Sequence, residues 1–517
     1  MKPLGVVAAG HEETARAAEL MLREGGNAFD AIVAAHFAAC VAEPVLASLG
    51  GGGFLLAHTA AGTTEVYDFF VQTPGRQRPV DDMDFQPIAA DFGTAQQEFH
   101  IGLGAIATPG TLKGLFAVQR ELCSMPMARL MEPAVQLARD GVCVNGLQAY
   151  ILQIVSPIYS ATAGARDIFA GRRTSGGLIG EGEVLRQPQL ADSLEALARE
   201  GDALFYEGEI ADLISTACAQ GGGHLSAADL SAYKVIKRPP LEIAYRDTRV
   251  LTNPPPSSGG ILIAFALKLL EDAAPDRVDF GTAAYLDLLA CTMELTNKAR
   301  LDAHLEEAIH PDAERLLDAD YLALYKEQIH GRAQCLRGTT QVSVIDKQGN
   351  IASLTVSNGE GCGHIVPGTG IMLNNMLGEE DLNPQGFHRW PLNQRMTSMM
   401  SPSLVLQPEG RSIALGSGGS NRIRSAILQV LINLIDFGMP PEEAVNRPRV
   451  HFEAGLLNVE GGLDALEVKK LLERYPRHKI WETHNLFFGG AHTVMHDAGQ
   501  FTGAGDPRRG GVCLAVG

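Results

Sequence analysis

Gly338-Thr339-Thr340 leads into a β-branched run, Val342 to Asp346, and a second run, Ile351 to Val356, follows Lys347-Gln348-Gly349-Asn350. Two such runs joined by a short glycine-containing turn predict a β-hairpin. A hydroxyl at the head of a buried strand, behind a glycine able to take a strained conformation, is a layout that lets a chain cut itself. The threonine oxygen attacks the preceding carbonyl, the peptide shifts to an ester, and water cleaves the ester. The freed α-amine then lies beside the hydroxyl. With an ordinary pKa of about 8, against about 10.4 for lysine, it is the better base at neutral pH. The expectation is a self-processing amidohydrolase, cut between Gly338 and Thr339, with Thr339 as nucleophile.

A second stretch, Gly416-Ser417-Gly418-Gly419-Ser420-Asn421, runs directly into a helical pattern with apolar residues at 423, 426, 427, 430, 431 and 434. A glycine-rich turn at a helix N-terminus offers backbone N–H groups and the positive end of the helix dipole. It reads either as an anion site or as an oxyanion hole for acyl transfer, and a nucleophile upstream favours the latter. Other motifs carry less. The glycines of Leu49–Leu56 lack the lysine and hydroxyl of a P-loop. Gly102-Leu103-Gly104 is followed by Thr108-Pro109-Gly110, which breaks the helix a dinucleotide site needs. Ser257 and Ser258, behind three prolines, read as helix caps, and His304 and His310 lack the spacing of a metalloprotease helix.

These groups need a large frame. Helices are expected over Thr14–Leu22, from an Asn27 cap to Val41, and over Leu112–Arg139, Gln189–Arg199, Ala211–Gln220, Ile261–Glu271 and Ala283–Leu301. Strands are expected at Glu65–Phe70 and Ile371–Asn375, a polar loop from Phe70 to about residue 100, and an exposed linker over Leu324–Arg337. At 517 residues, 45% hydrophobic and 20% charged, the chain is long enough for a substantial core. A formal charge of −18 argues against nucleic acid or an anionic membrane as partner. The first residues lack the apolar run of a signal peptide, and no run approaches a membrane span. Eight scattered cysteines without a Cys-x-x-Cys pair suit a reducing compartment, so a cytoplasmic location is expected.

Together the motifs resemble those of the γ-glutamyltranspeptidase (glutathione hydrolase) family of N-terminal-nucleophile hydrolases. The resemblance rests on Leu22–Ala28, Leu49–Phe54, Pro254–Gly260, Thr339–Asn350, Asn374-Asn375, Ser401-Pro402, Gly416–Ile423 and Asp506-Pro507-Arg508, in the family's order. It implies an α+β fold, a four-layer αββα sandwich, and one intertwined body made of a large subunit, 1–338, and a small one, 339–517. It implies no metal or organic cofactor, a small amide or peptide substrate and a place in glutathione metabolism, and leaves self-association open. Thr339 would be the nucleophile and its amine the base. Ser357 would stand near the family's second threonine, Asn358 would contact substrate, and Gly419 and Ser420 would supply the oxyanion hole.

Three positions depart from the family's pattern. Phe70 stands where an arginine grips the substrate α-carboxylate. Glu379 replaces the aspartate that holds the α-amine, and Ser398-Met399-Met400 replaces a Ser-Ser-Met, losing one hydroxyl. Arg389 or Arg395 could supply the missing cation. The expected function is an amide hydrolase or acyltransferase with altered acyl specificity. Ordinary γ-glutamyl transfer, or a non-catalytic binding protein on the same fold, are the alternatives.

Overall fold

The computed structural model describes the chain except residues 1–2, 92–95, 172–176, 274, 276–277, 304–312, 327–338 and 384. Thirteen strands build the two central layers. The first sheet contains β1 (Gly5–Ala9), β2 (Gly52–His58), β3 (Thr64–Phe69), β4 (Ile236–Arg238), β7 (Thr340–Asp346), β8 (Ile351–Ser357) and β13 (Val512–Val516), in the order β13-β1-β7-β8-β2-β3-β4. The second contains β5 (Leu241–Tyr245), β6 (Thr248–Thr252), β9 (Ser403–Leu406), β10 (Ser412–Gly418), β11 (Gly490–Asp497) and β12 (Gln500–Ala504), in the order β12-β11-β10-β9-β6-β5. Every pairing within these two sheets is antiparallel.

Alternation along the strands assigns the layers. Val7 and Ala9 of β1 and Val342 and Val344 of β7 pack with helices α1 (Glu12–Arg23) and α2 (Ala28–Ala42), while Val6, Ala8 and Ile345 face the second sheet. Both faces of the first sheet are therefore buried. Beyond the second sheet lie α3 (Ser258–Ala273), α4 (Ala283–Asp302) and α5 (Arg422–Ile435). The result is the αββα sandwich.

α2 is apolar on all sides, and each of its fifteen residues is buried. It spans about 22 Å, close to the roughly 23 Å rise of the seven-residue β7, and the two are joined at both ends. At one end the Ala28 N–H donates to Asp346 Oδ2 at 2.8 Å, and at the other Thr340 Oγ1 donates to Glu43 Oε2 at 3.0 Å. Thr14 Oγ1 also donates to Glu43, at 2.7 Å, and burial raises the Glu43 pKa. The strand carrying the candidate nucleophile thus lies fixed against a buried helix.

Several elements differ from the sequence expectation. The helix read over Leu112–Arg139 is two, Thr111–Leu122 and Met127–Asp140. Between them the N–H groups of Ser124 and Met125 and the Ser124 hydroxyl donate to buried Asp30, and Pro126 starts the second helix. The polar stretch before residue 100 contains a hairpin, Gln86–Asp91 against Gln96–Ile101. Ile371–Asn375 makes only single bridges, Met372 to Ile365 and Leu373 to Gly50, because Asn374 turns its amide to Gly50 and Ala107. Leu324–Lys326 end a helix that starts at Ala319; the remainder of the expected linker lies outside the described residues, as do His304 and His310.

Candidate active site

Thr339 sits at the head of β7, 4% exposed. In the β7–β8 register Thr340 faces Val356, and one further step sets Ser357 across from Thr339. The alternation that turns Thr340 toward Glu43 turns Thr339 to the inter-sheet side. There the interface is polar. Gln341 Nε2 donates to Ser343 Oγ and Ser353 Oγ, both at 3.0 Å, and Thr355 Oγ1 donates to Gln341 Oε1 at 2.5 Å. Ser343 and Ser353 donate in turn to the carbonyls of His492 and Leu415 in the second sheet. Each such bond nets only about 1 kcal/mol, yet a buried group left unpaired would cost about 1–3 kcal/mol, so the network fixes how the sheets stack.

β10 crosses this surface through glycines. A Cβ at Gly416 would lie 2.2 Å from Gln341 Oε1, and one at Gly418 would lie 1.8 Å from the Thr339 carbonyl oxygen. The missing side chains bring the end of β10 onto the nucleophile. Gly419 follows at φ 123° and Ser420 at φ 52°, a left-handed conformation that costs a non-glycine residue about 1 kcal/mol or more. Ser420 Oγ donates to Asp381 Oδ2 at 2.7 Å, which holds the turn. Among the described residues the N–H groups of Gly419 and Ser420 donate to no acceptor, while those of Arg422 and Ile423 bond back to the carbonyls of Gly419 and Ser420. The turn opens α5, whose cap residue Asn421 makes no side-chain capping bond.

Thr339, Ser357 and Ser420 border one pocket of about 480 Å3, counted to its solvent mouth. Phe70, Glu379, Ser398, Met399 and Met400 also line it, as does Ser258, read from sequence as a helix cap, together with Asp381, Thr397, Met376 and other residues that the sequence reading gave no role. Gly359, at φ 63°, makes room for Glu379, whose Oε1 would lie 2.2 Å from a Cβ there. Phe70 is buried and stacks on Phe54, ring centroids 5.4 Å apart. Asn358 is fully buried one residue beyond Ser357, does not border the pocket, and both polar atoms of its amide lack a partner among the described residues.

Arg395 is not brought to the pocket. Its guanidinium donates to Asp68 Oδ1 at 3.0 Å, the Phe70 carbonyl at 2.7 Å, Tyr233 at 2.7 Å and the Lys234 carbonyl at 2.6 Å. Asp68, fully buried, draws in Arg238 as well. Arg389 is exposed and does not line the pocket either. An arginine that does reach Thr339 is one the sequence reading missed. Arg509, three residues past Asp506, donates to the Thr339 carbonyl at 3.2 Å and to the Leu486 carbonyl at 3.4 Å. Burial pushes its pKa down to about 10, against the pull of Glu360, Asp506 and Glu43. Asp381 had a signal, two residues beyond Glu379; Arg509 had only its place beside the Asp506-Pro507-Arg508 motif. Gly338 lies outside the described residues.

A buried hydroxyl at the head of a strand, opening on a pocket within an αββα sandwich, is the arrangement of an N-terminal-nucleophile hydrolase. The chain matches the family described as gamma-glutamyltranspeptidase over residues 14–516, and it belongs to that family. It is 31% identical to the glutathione hydrolase proenzyme of Escherichia coli (strain K12), over 94% of this chain and 87% of that protein. It is 30% identical to the Acylase ACY 1 proenzyme of Pseudomonas sp. (strain V22), over 99% of this chain and 93% of that protein. Among solved structures, cephalosporin acylase from Bacillus halodurans shares the fold, with a TM-score of 0.85 at 24% identity over 99% of this chain and 96% of that one. Helicobacter pylori gamma-glutamyltranspeptidase superposes with a TM-score of 0.55 at 26% identity, over 63% of this chain and 91% of that one. The protein is accordingly an enzyme, a self-cleaving amidohydrolase or acyltransferase made as a precursor of two subunits.

Proposed function

We propose that Thr339 is the residue at which the precursor cuts itself and the nucleophile of the mature enzyme. The cut would give subunits 1–338 and 339–517, and strands from both halves alternate in the first sheet, so the products stay intertwined. The single observation that carries this reading is the close approach of Gly418 to the Thr339 carbonyl, which sets the Gly419-Ser420 turn beside the hydroxyl at the head of β7. In turnover the Thr339 α-amine takes the hydroxyl proton as Oγ attacks the substrate carbonyl. The N–H groups of Gly419 and Ser420 hold the resulting oxyanion, a contribution typically worth about 10²–10³ in rate per donor. Collapse expels the amine, which receives the proton, and leaves an acyl ester on Thr339; water or an acceptor amine then releases the acyl group.

We also propose an acyl specificity moved away from zwitterionic glutamate. With Phe70 in the lining and Arg395 bound to Asp68, no cationic side chain among the described residues borders the pocket to pair with an α-carboxylate. Leaving such a charge buried and unpaired costs about 3–5 kcal/mol, or roughly 10²–10³ and more in binding. Ordinary γ-glutamyl transfer keeps support from Glu379 and Ser398, both at the pocket. A location in a reducing compartment is part of the same reading, supported by free thiols at Cys40, Cys218, Cys291 and Cys362. On a denaturing gel the purified protein should run as two fragments and Thr339→Ala as one chain. An unprocessed wild-type chain whose Thr339 resists acylating probes would overturn the proposal.

A further inference from the structure

The cap of α5 breaks a local rule. Asparagine at a helix N-terminus ordinarily takes an extended conformation and accepts an N–H from the first turn. Asn421 is helical, at φ −60° and ψ −20°, and makes no capping bond. Its amide donates instead to Glu453 Oε1 at 3.3 Å. Arg424 closes the loop, with Nη2 donating to the same oxygen at 2.9 Å and Nε to the Asn421 carbonyl at 3.1 Å. Asn297 of α4 accepts from Arg424 Nη2 at 2.5 Å, and His451 Nε2 lies 3.1 Å from Glu453 Oε2. Burial alone would raise the Glu453 pKa, but Arg424, His451 and Arg300 outweigh it and hold the carboxyl below its ordinary range. An ionised Glu453 accepts, so His451 carries its proton on Nε2, and Nδ1 takes the Ser425 hydroxyl at 2.8 Å. Asn297, Asn421, Arg424, Ser425, His451 and Glu453 are each at most 6% exposed.

This cluster lies behind the Gly419-Ser420 turn. Ser420 keeps φ 52°, which a residue with a Cβ leaves readily. Turning over the Gly419–Ser420 peptide would take that φ to a favoured negative value and reverse the Ser420 N–H. Upstream, Gly418 is fixed by its pairing with Gly490 and its contact with the Thr339 carbonyl. Downstream, the Gly419 carbonyl of that peptide accepts from the Arg422 N–H at 3.1 Å, in the first turn of α5, and the clamp on Asn421 holds that turn. A buried ion pair adds little net stability, because lost hydration offsets the attraction; here its geometry is directed at one residue. We propose that Glu453 and Arg424 are positioning residues for acyl transfer: through Asn421 they keep Ser420 left-handed and its N–H available to the oxyanion. The inference rests on the reading of Gly419 and Ser420 as oxyanion donors and adds what holds them in place.

p-Nitrophenyl acetate, a small activated ester, reads turnover without depending on acyl specificity, with Thr339→Ala as the blank. Rates are taken per processed chain, and thermal melting reports the fold. Glu453→Gln, close to isosteric, should lower kcat at least tenfold with KM within threefold, part of the about 10²–10³ typically lost with a whole donor. Ser420→Gly separates positioning from mere support, because glycine is at ease at φ 52° and needs no clamp. Added to Ser420→Gly, Glu453→Gln should lower kcat by less than a third of the factor it costs in the wild type. If Glu453→Gln does not fold, Asn421→Ala carries the same comparison, since it leaves the Arg424–Glu453 pair intact. Its fall in kcat should be at least about threefold and should vanish in the presence of Ser420→Gly. An equal loss in both backgrounds, a loss confined to KM, or a folded Glu453→Gln with kcat within threefold of wild type overturns the inference. Each of those results leaves Thr339, Gly419 and Ser420 in their roles. A wild-type chain that neither processes itself nor releases p-nitrophenolate above the blank removes the nucleophile reading, and the inference falls with it.

Discussion

Gly418→Ala tests the central geometry. The added Cβ would lie 1.8 Å from the Thr339 carbonyl oxygen, whereas ordinary contact begins near 3.4 Å. One of the two backbones must therefore retreat by about 1.6 Å, the difference between those distances. Neither is free to do so cheaply. β7 is tied to α2 through Thr340 and Asp346, and β10 is paired on both sides, with β9 and β11. A displacement of about 1 Å at reacting atoms commonly costs about 10²-fold in rate, or about 2.7 kcal/mol. Gly418→Ala is expected to lose at least that factor in turnover and to accumulate precursor. Gly416→Ala is the companion variant, since its Cβ meets the Gln341 side chain rather than backbone, and it should lose less activity. A denaturing gel reads processing, release of p-nitroaniline reads turnover, and thermal melting shows whether the fold survives. A folded Gly418→Ala protein that processes fully and turns over within threefold of wild type would refute the claim that β10 positions the nucleophile.

Other perturbations follow from the same structure. Ser420→Ala and Ser420→Gly both remove the hydroxyl bonded to Asp381, but only glycine relaxes φ 52°, so the glycine variant should be more stable by about 1 kcal/mol in urea unfolding. Equal stabilities would mean the turn is not strained. Arg509→Met leaves the Thr339 carbonyl without its guanidinium donor, and a lost hydrogen bond of about 1–3 kcal/mol should lower kcat roughly 10–100-fold, with Arg509→Lys falling between. Burial pushes the pKa of His36 and of His492 down to about 4 from an ordinary 6.5. Their native states bind fewer protons than the unfolded chain, so stability should fall as pH drops from about 6.5 towards 4. The loss should approach roughly 3 kcal/mol per histidine. Denaturant midpoints across that range check this, and a flat profile contradicts it.

Much of the frame could be read without coordinates. The hairpin behind Thr339 was legible because β-branched runs and a glycine turn act locally, and the α5 stripe because helical spacing repeats. The split in the Leu112–Arg139 pattern was not, since it follows from Asp30, far away in sequence, drawing the Ser124 and Met125 N–H groups out of a helix. Ile371–Asn375 has the composition of a strand, but Asn374 gives its hydrogen bonds to Gly50 and Ala107 in place of a ladder. Glu379, Ser398, Met399 and Phe70 were legible as pocket positions only through their resemblance to a known pattern.

By itself the sequence determined which groups could do chemistry: a hydroxyl after a glycine, a glycine turn before a helix, and a phenylalanine in an arginine's place. Those are properties of residue type and near neighbours. Tertiary structure alone decided that the turn lies over the nucleophile, that Arg509 reaches the Thr339 carbonyl, and that Arg395 is turned away from the pocket. An arginine side chain is long enough to serve several sites, and buried Asp68, left uncompensated, would be costly; the fold places Arg395 there, and so leaves the pocket without it.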